Sequence, residues 1–389
     1  MSLHIPYGRQ DIDSEDIQAV INVLQSDFLT QGPAVNSFEA AISLYVGAQY
    51  AVACNSATSA LHLACLALGV GHADRVWTSA ITFVASSNCA LYCGAEVDFV
   101  DIDLATYNMS MDALAEKLIV AKRTGTLPKV VIPVHMAGQS CDMEAIYALS
   151  QEYGFKVIED ASHAIGGRYR DDLIGSCKFS DITVFSFHPV KIITTGEGGM
   201  AVTNNSTLAE KMNLLRSHGI TRDAMQMQSK PDGPWYYEQI DLGSNYRMTD
   251  IQAALGLSQS KKIEHYVLRR NEIAEKYKSI LGNLSITLPI VLENNYSAFH
   301  LFIVLLSAGT TKSEHLEVFS QLREYGIGVN IHYIPVYLQP YYQNRGFKKG
   351  YCSNAEDYYS RAISLPIFPA LAIEQQDLVG SKLSEILES

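Results

Sequence analysis

From about residue 50 to 215, short apolar runs alternate with segments of helical periodicity, and this rhythm restricts the fold more than any other feature of the chain. Glu96–Ile102, Lys129–Val134, Phe155–Ile158, Ile182–Phe187 and Gly199–Thr203 read as strands. Met111–Arg123 after Ser110, Asp142–Tyr153 closed by Gly154, and Thr207–Arg216 read as helices. Alternation of this kind predicts a mostly parallel sheet covered by helices on both faces. Ligands of such sheets sit beyond the carboxyl ends of the strands, so chemistry is sought there.

Beyond this stretch the pattern changes. Ser217–Gly243 is polar and loop-like, with turn chemistry at Lys230-Pro231-Asp232-Gly233-Pro234. Thr249 reads as the cap of a long, once-broken helix reaching about Leu281. A strand at His300–Leu306, a helix near Ser313–Tyr325, a strand at Gly328–Tyr333 and two final helical segments suggest a smaller α+β domain. The expected division is residues 1–250 as a large domain and 251–389 as a small one, with the N-terminal segment touching the latter.

Bulk properties exclude several classes. With 29 basic against 41 acidic residues the formal charge is −12, which opposes non-specific nucleic-acid binding. No signal peptide is expected from MSLHIPYGRQD, and no run is long and apolar enough to span a bilayer. Seven cysteines without a CxxC pair point to reduced thiols in the cytoplasm and to no metal centre. No GxGxxG opens a βα unit, and neither a P-loop nor HExxH is present.

Three candidates stand at strand ends. Lys191, in SFHPVKIITTGEGG, follows an apolar strand; a partly desolvated amine there is a nucleophile, and a snorkelling surface lysine is the plainer alternative. Asp160 ends Lys156-Val157-Ile158-Glu159-Asp160 and suits either a protonated pyridine nitrogen or a helix cap. Asn55-Ser56-Ala57-Thr58-Ser59 opens an apolar helix as a phosphate cradle or simple cap. Phe83, His163 and Ser186 are further candidates: a flat face for a heterocycle, a donor to a ring oxygen, and another phosphate contact. Phe83 and His163 read equally well as core residues. Together, a lysine, a carboxylate and a phosphate cradle at one sheet edge are what pyridoxal phosphate requires.

The motifs NSATSALHLA, EDASHAIGG, SFHPVKIITTGEGG and GSNYRMTDIQAALG resemble those of the DegT-type nucleotide-sugar aminotransferases, a branch of the fold-type I pyridoxal phosphate enzymes. That resemblance covers nearly the whole chain and implies a seven-stranded, mostly parallel sheet plus a small C-terminal α+β domain. It makes Lys191 the cofactor-bearing lysine, Asp160 the partner of the pyridine nitrogen and Phe83 the stacking residue. Thr58, Ser59 and Ser186 become phosphate contacts, with His163 near the phenolic oxygen. Asn245 is expected from the neighbouring subunit, which implies a homodimer with shared sites. Thr30, His332 and Tyr333 are expected at the sugar-nucleotide pocket. Ala57 stands where Gly is common, and Ser244 where a bulky aromatic is usual. Lysine at 191 separates the chain from dehydratases that carry histidine there.

The runs SFHPVKIITTGEGG and LLRSHGITRD, with Trp235-Tyr236-Tyr237, further resemble members that aminate C4 of a UDP-linked 2-acetamido-2,6-dideoxy-4-hexulose. L-glutamate is the implied donor. Another UDP- or dTDP-keto-sugar, or a cofactor-binding regulator without catalysis, are the alternatives.

Overall fold

The computed structural model describes residues 4–388. Seven strands build the principal sheet: β1 (Tyr50–Cys54), β2 (Arg75–Ser79), β3 (Glu96–Val100), β4 (Val130–Ile132), β5 (Lys156–Asp160), β6 (Ile182–Ser186) and β7 (Gly199–Thr203). Their order is β1-β7-β6-β5-β4-β2-β3, and only β7 runs antiparallel to its neighbours. The mostly parallel sheet is therefore as the alternating pattern predicts. Strands β6 and β7 are buried at every position, the pattern of strands covered on both faces.

Helices α1 (Ser14–Leu24), α2 (Pro33–Val46), α3 (Ala57–Ala67), α4 (Ala85–Tyr92), α5 (Met111–Thr124), α6 (Met143–Tyr153) and α7 (Ser206–Arg216) accompany this sheet along the chain. Their starts follow from cap chemistry. Ser56, Ser110, Asp142 and Asn205 each accept from a backbone amide of the first turn. Gly125 and Gly154 end α5 and α6 in the left-handed region, which a side chain disfavours.

Thr249 caps α8 (Asp250–Ser260) through a reciprocal pair with Gln252, and the expected break falls at Lys261-Lys262 before α9 (Ile263–Leu281). Next come β8 (Ile286–Thr287), β9 (Phe302–Leu306), α10 (Lys312–Glu324), α11 (Pro340–Gln343), α12 (Ser353–Arg361), β10 (Ala362–Leu365) and α13 (Ile373–Glu388). The sheet order here is β8-β9-β10, all antiparallel. A separate apolar core under it includes Ile5, whose backbone bridges Ile327, so the N-terminal segment docks on this second sheet.

Two expectations are corrected. Gly328–Tyr333 forms no strand; only Asn330 pairs, with Ser364. Gly328 is held against Ile5, and the Asn330 side chain bonds the following amide, so the segment turns toward the first sheet. Its place beside β9 is taken by Ala362–Leu365, within the terminal region read as helical. The polar stretch 217–243 also contains a short ladder, Ile220–Thr221 against Glu238–Gln239.

Candidate active site

Three strands end and a fourth begins at one edge of the sheet. Asn55 follows β1, Asp160 ends β5, and Ser186 ends β6; Gly199 begins the antiparallel β7 at the same level, opposite both Cys54 and Ser186. There a cavity of about 970 Å³ opens, lined by Thr58, Ser59, Phe83, Asp160, His163, Ser186, Lys191, His332 and Tyr333 among others. Nine sequence-predicted residues thus share one pocket.

Lys191 lies on a turn, its backbone amide bonded to the His188 carbonyl at 2.9 Å. The side chain is half-buried, and none of the ion pairs of the described residues includes it. Loss of water pulls its pKa down to about 8, although the charge of Asp160 pulls it upward. Burial thus outweighs the carboxylate, leaving an amine with a sizeable neutral fraction at ordinary pH.

Asp160 is 4% exposed, and both of its oxygens are oriented. Ser162 N donates to Oδ1 at 3.1 Å and Ser86 Oγ to Oδ2 at 2.6 Å. Phe83 is 58% exposed, which excludes a core role and leaves a ring face free in the cavity.

At the start of α3, Ser56 Oγ accepts from Ser59 N, while the first-turn amides before it have no partner inside the helix. Thr58 and Ser186 line the same cavity. Ser59 is less available, because its hydroxyl donates to Asn55 Oδ1 at 2.7 Å. Gly199 lets β7 approach this turn: a Cβ there would lie 2.3 Å from Ala57 N.

His163, His300, His332 and Tyr333 also line the cavity. His163 Nε2 contacts Tyr333 Oη at 3.1 Å, its ring lies 4.4 Å from that of His300, and its Nδ1 is buried without a protein partner. Burial first, then Lys191 and His332, hold His163 well below the ordinary histidine range. His332 is pushed down to about 3 by burial and Lys191, and its Nδ1 contacts Ser364 Oγ at 2.8 Å. Burial first, then the charge of Lys191, hold His300 well below that range too, so all three imidazoles are neutral at physiological pH.

These residues fit pyridoxal phosphate. An unpaired amine, an oriented carboxylate, unspent helix-start amides and an open aromatic face line one space, with the neutral His163 beside them. Asn245 and Thr30 do not join it; both are exposed on the surface and absent from the cavity wall. The main chain of Ser244, at the departure from the aromatic pattern, is tied to Leu215 and His218.

Sequence reasoning missed Tyr7, Ser86, Gln252 and His300. Gln252 was visible as the helix-capping partner of Thr249, but nothing in the local pattern brings the others to strand ends. Among the described residues no helix is long and apolar enough to cross a membrane, and no group of side chains is suited to holding a metal ion.

The model of the DegT/DnrJ/EryC1/StrS aminotransferase family matches residues 10–384. The spore coat polysaccharide biosynthesis protein SpsC of Bacillus subtilis is 40% identical over 389 residues, covering 99% of this chain and 97% of that protein. The UDP-4-amino-4,6-dideoxy-N-acetyl-beta-L-altrosamine transaminase of Campylobacter jejuni is 37% identical over 386 residues, covering 99% and 98%. Among solved structures, Helicobacter pylori PseC, an aminotransferase involved in the biosynthesis of pseudoaminic acid, superposes with a TM-score of 0.90 at 33% identity, covering 99% of this chain and 100% of that one. The PLP form of Spr1654 from Streptococcus pneumoniae gives 0.89 at 29% identity, covering 99% of both.

Proposed function

The chain belongs to the DegT/DnrJ/EryC1/StrS aminotransferase family and is a pyridoxal phosphate-dependent sugar aminotransferase; from that premise we propose its substrates, its site residues and its assembly. It moves an amino group from L-glutamate to C4 of a UDP-linked 2-acetamido-2,6-dideoxy-4-hexulose, giving a 4-amino sugar of L-altro configuration and 2-oxoglutarate. The observation that carries the chemistry is the meeting of Lys191 and Asp160 in one cavity with an unspent helix start. The motif resemblance and the Campylobacter jejuni transaminase, similar over 99% of this chain, support the sugar.

When bound, pyridoxal phosphate supplies an electron sink for the amino acid's α-carbon and stores the amino group between the two half-reactions. Lys191 Nζ is the nucleophile that holds the cofactor, and once released it takes and returns the proton at the reacting carbon. Asp160 offers a fixed carboxylate to the cationic ring nitrogen. Phe83 presents its exposed face to the ring. Thr58, Ser186 and the amides opening α3 receive the phosphate, with Ser59 shaping the turn that presents them. His163, neutral, faces the phenolic oxygen. His332 and Tyr333 border the sugar side.

Among the described residues that line the cavity, Lys191 is the only lysine or arginine. The motif resemblance, which assigns Asn245 to the neighbouring subunit, supports a homodimer whose second copy brings Asn245 and Thr30 toward this site. Its compartment is the cytoplasm, in keeping with seven free cysteines.

The Bacillus subtilis relative, at 40% identity, favours a second reading: amination of a keto-sugar destined for a different polysaccharide. Assaying purified enzyme with glutamate against a panel of UDP- and dTDP-linked 4-keto and 3-keto sugars separates the two. We expect turnover to be fastest with the UDP-linked 2-acetamido-4-keto sugar. Faster turnover of a dTDP-sugar contradicts the proposal.

A further inference from the structure

We propose that Ser86 is a positioning residue for the transamination, setting the orientation of Asp160, and that Thr82 aligns it from behind. The inference rests on the reading that Asp160 faces the ring nitrogen of pyridoxal phosphate. Ser86 Oγ lies 2.6 Å from Asp160 Oδ2, and Thr82 Oγ1 lies 2.7 Å from Ser86 Oγ. Ser86 is fully buried and Thr82, at the cavity wall, is 2% exposed, so water has little access to these hydroxyls.

Proton counting gives the chain a direction. An ionised carboxylate only accepts, so the single hydroxyl proton of Ser86 goes to Asp160 at 2.6 Å in preference to the Phe83 carbonyl, which lies 3.3 Å away. The Thr82 hydroxyl must then be the donor to Ser86. The result is a two-step relay, Thr82 to Ser86 to Asp160, with each bond of ordinary length or shorter. Ser162 N holds the other oxygen, so the carboxylate is fixed from two elements, the end of β5 and the start of α4.

The placement couples two functions. Ser86 N bonds the Phe83 carbonyl at 3.2 Å, so the residue offering a ring face and the residue orienting the carboxylate ride on one turn. Any shift of that turn moves both together. Without the Ser86 hydroxyl, Oδ2 is left without this donor in a site nearly closed to water, and the side chain can rotate away from the cavity.

The test uses purified protein stripped of cofactor and two variants, Ser86→Ala and the near-isosteric Thr82→Val. The readouts are the dissociation constant for pyridoxal phosphate, the pH midpoint of the visible band of the bound cofactor, and apo-protein melting as a check on folding. A hydrogen bond to a charged group predicts roughly tenfold or greater weakening of cofactor binding in Ser86→Ala, with a displaced pH midpoint. Thr82→Val moves both readouts in the same direction by less. If Ser86→Ala does not fold, Thr82→Val decides alone. Parent-like affinity and parent-like midpoint in the variants overturn the inference while leaving the site assignment intact. Failure of the parent protein itself to bind pyridoxal phosphate sinks both.

Discussion

Ordinary lysine titrates far above neutrality, but Lys191 is held near 8 because its ammonium has lost water and gains only part of that back from Asp160. The neutral amine is the reactive form, so apo-enzyme should capture pyridoxal phosphate at a rate that climbs through about pH 8 and then levels off. Stopped-flow absorbance across pH 6.5 to 10 measures it, a range of roughly 1.5 to 2 pH units either side of the expected midpoint. A rate still climbing steeply at the top of that range contradicts the placement. The same shift has a stability consequence. A lysine whose pKa is lower in the folded than in the unfolded chain binds fewer protons when folded, across the interval between the two values. Its contribution to apo-enzyme stability therefore rises from about pH 8 toward 10.5 and is absent in Lys191→Met.

At the scale of elements, the junction between β7 and α3 positions the phosphate-binding turn. Gly199→Ala would drive a methyl group into the backbone of Ala57 and Ser56. Overpacking of this kind costs about 1–3 kcal/mol and displaces the first turn of α3. We expect a lower melting temperature and weaker cofactor binding, checked by thermal unfolding and equilibrium titration; parent-like values in both argue against this role for the glycine.

What the sequence made legible follows from the same geometry. Asp160, Ser186 and the turn before α3 stand beside strands whose apolar runs are continuous, so position along the chain already places them at the sheet edge. Tyr7 and His300 are different, because long-range packing sets their positions. Tyr7 follows a segment paired with Ile327, and the His300 carbonyl accepts from the fully buried Arg270 at 3.2 Å. Ser86 was hidden because an apolar helix start with serines reads as packing. Gly328–Tyr333 misled because its alternation suits a strand, yet Asn330 and His332 bond locally and to Ser364 and not along a ladder.

For the whole molecule, we propose that residues 1–250 and 251–389 form the two domains, with α8 packing back on α1 and α2. We further propose that two copies complete each other's sites. Asn245 and Thr30 are exposed, as is Phe28, which is 55% accessible in the single chain. Complementation tests the assembly. Lys191→Ala and Asn245→Ala should each be severely impaired alone, yet a refolded mixture should recover up to about a quarter of parent activity, because random pairing restores one site in half the dimers. No recovery would mean that Asn245 serves its own chain or none.

The central claim is that one amine, at position 191, holds the cofactor. Borohydride treatment of the pyridoxal phosphate-loaded enzyme, followed by digestion and mass spectrometry, locates that bond directly. The account predicts a phosphopyridoxyl group on the peptide SFHPVKIITTGEGG at Lys191, and none on any peptide of Lys191→Ala. A label on another lysine, or an unlabelled parent protein, contradicts it.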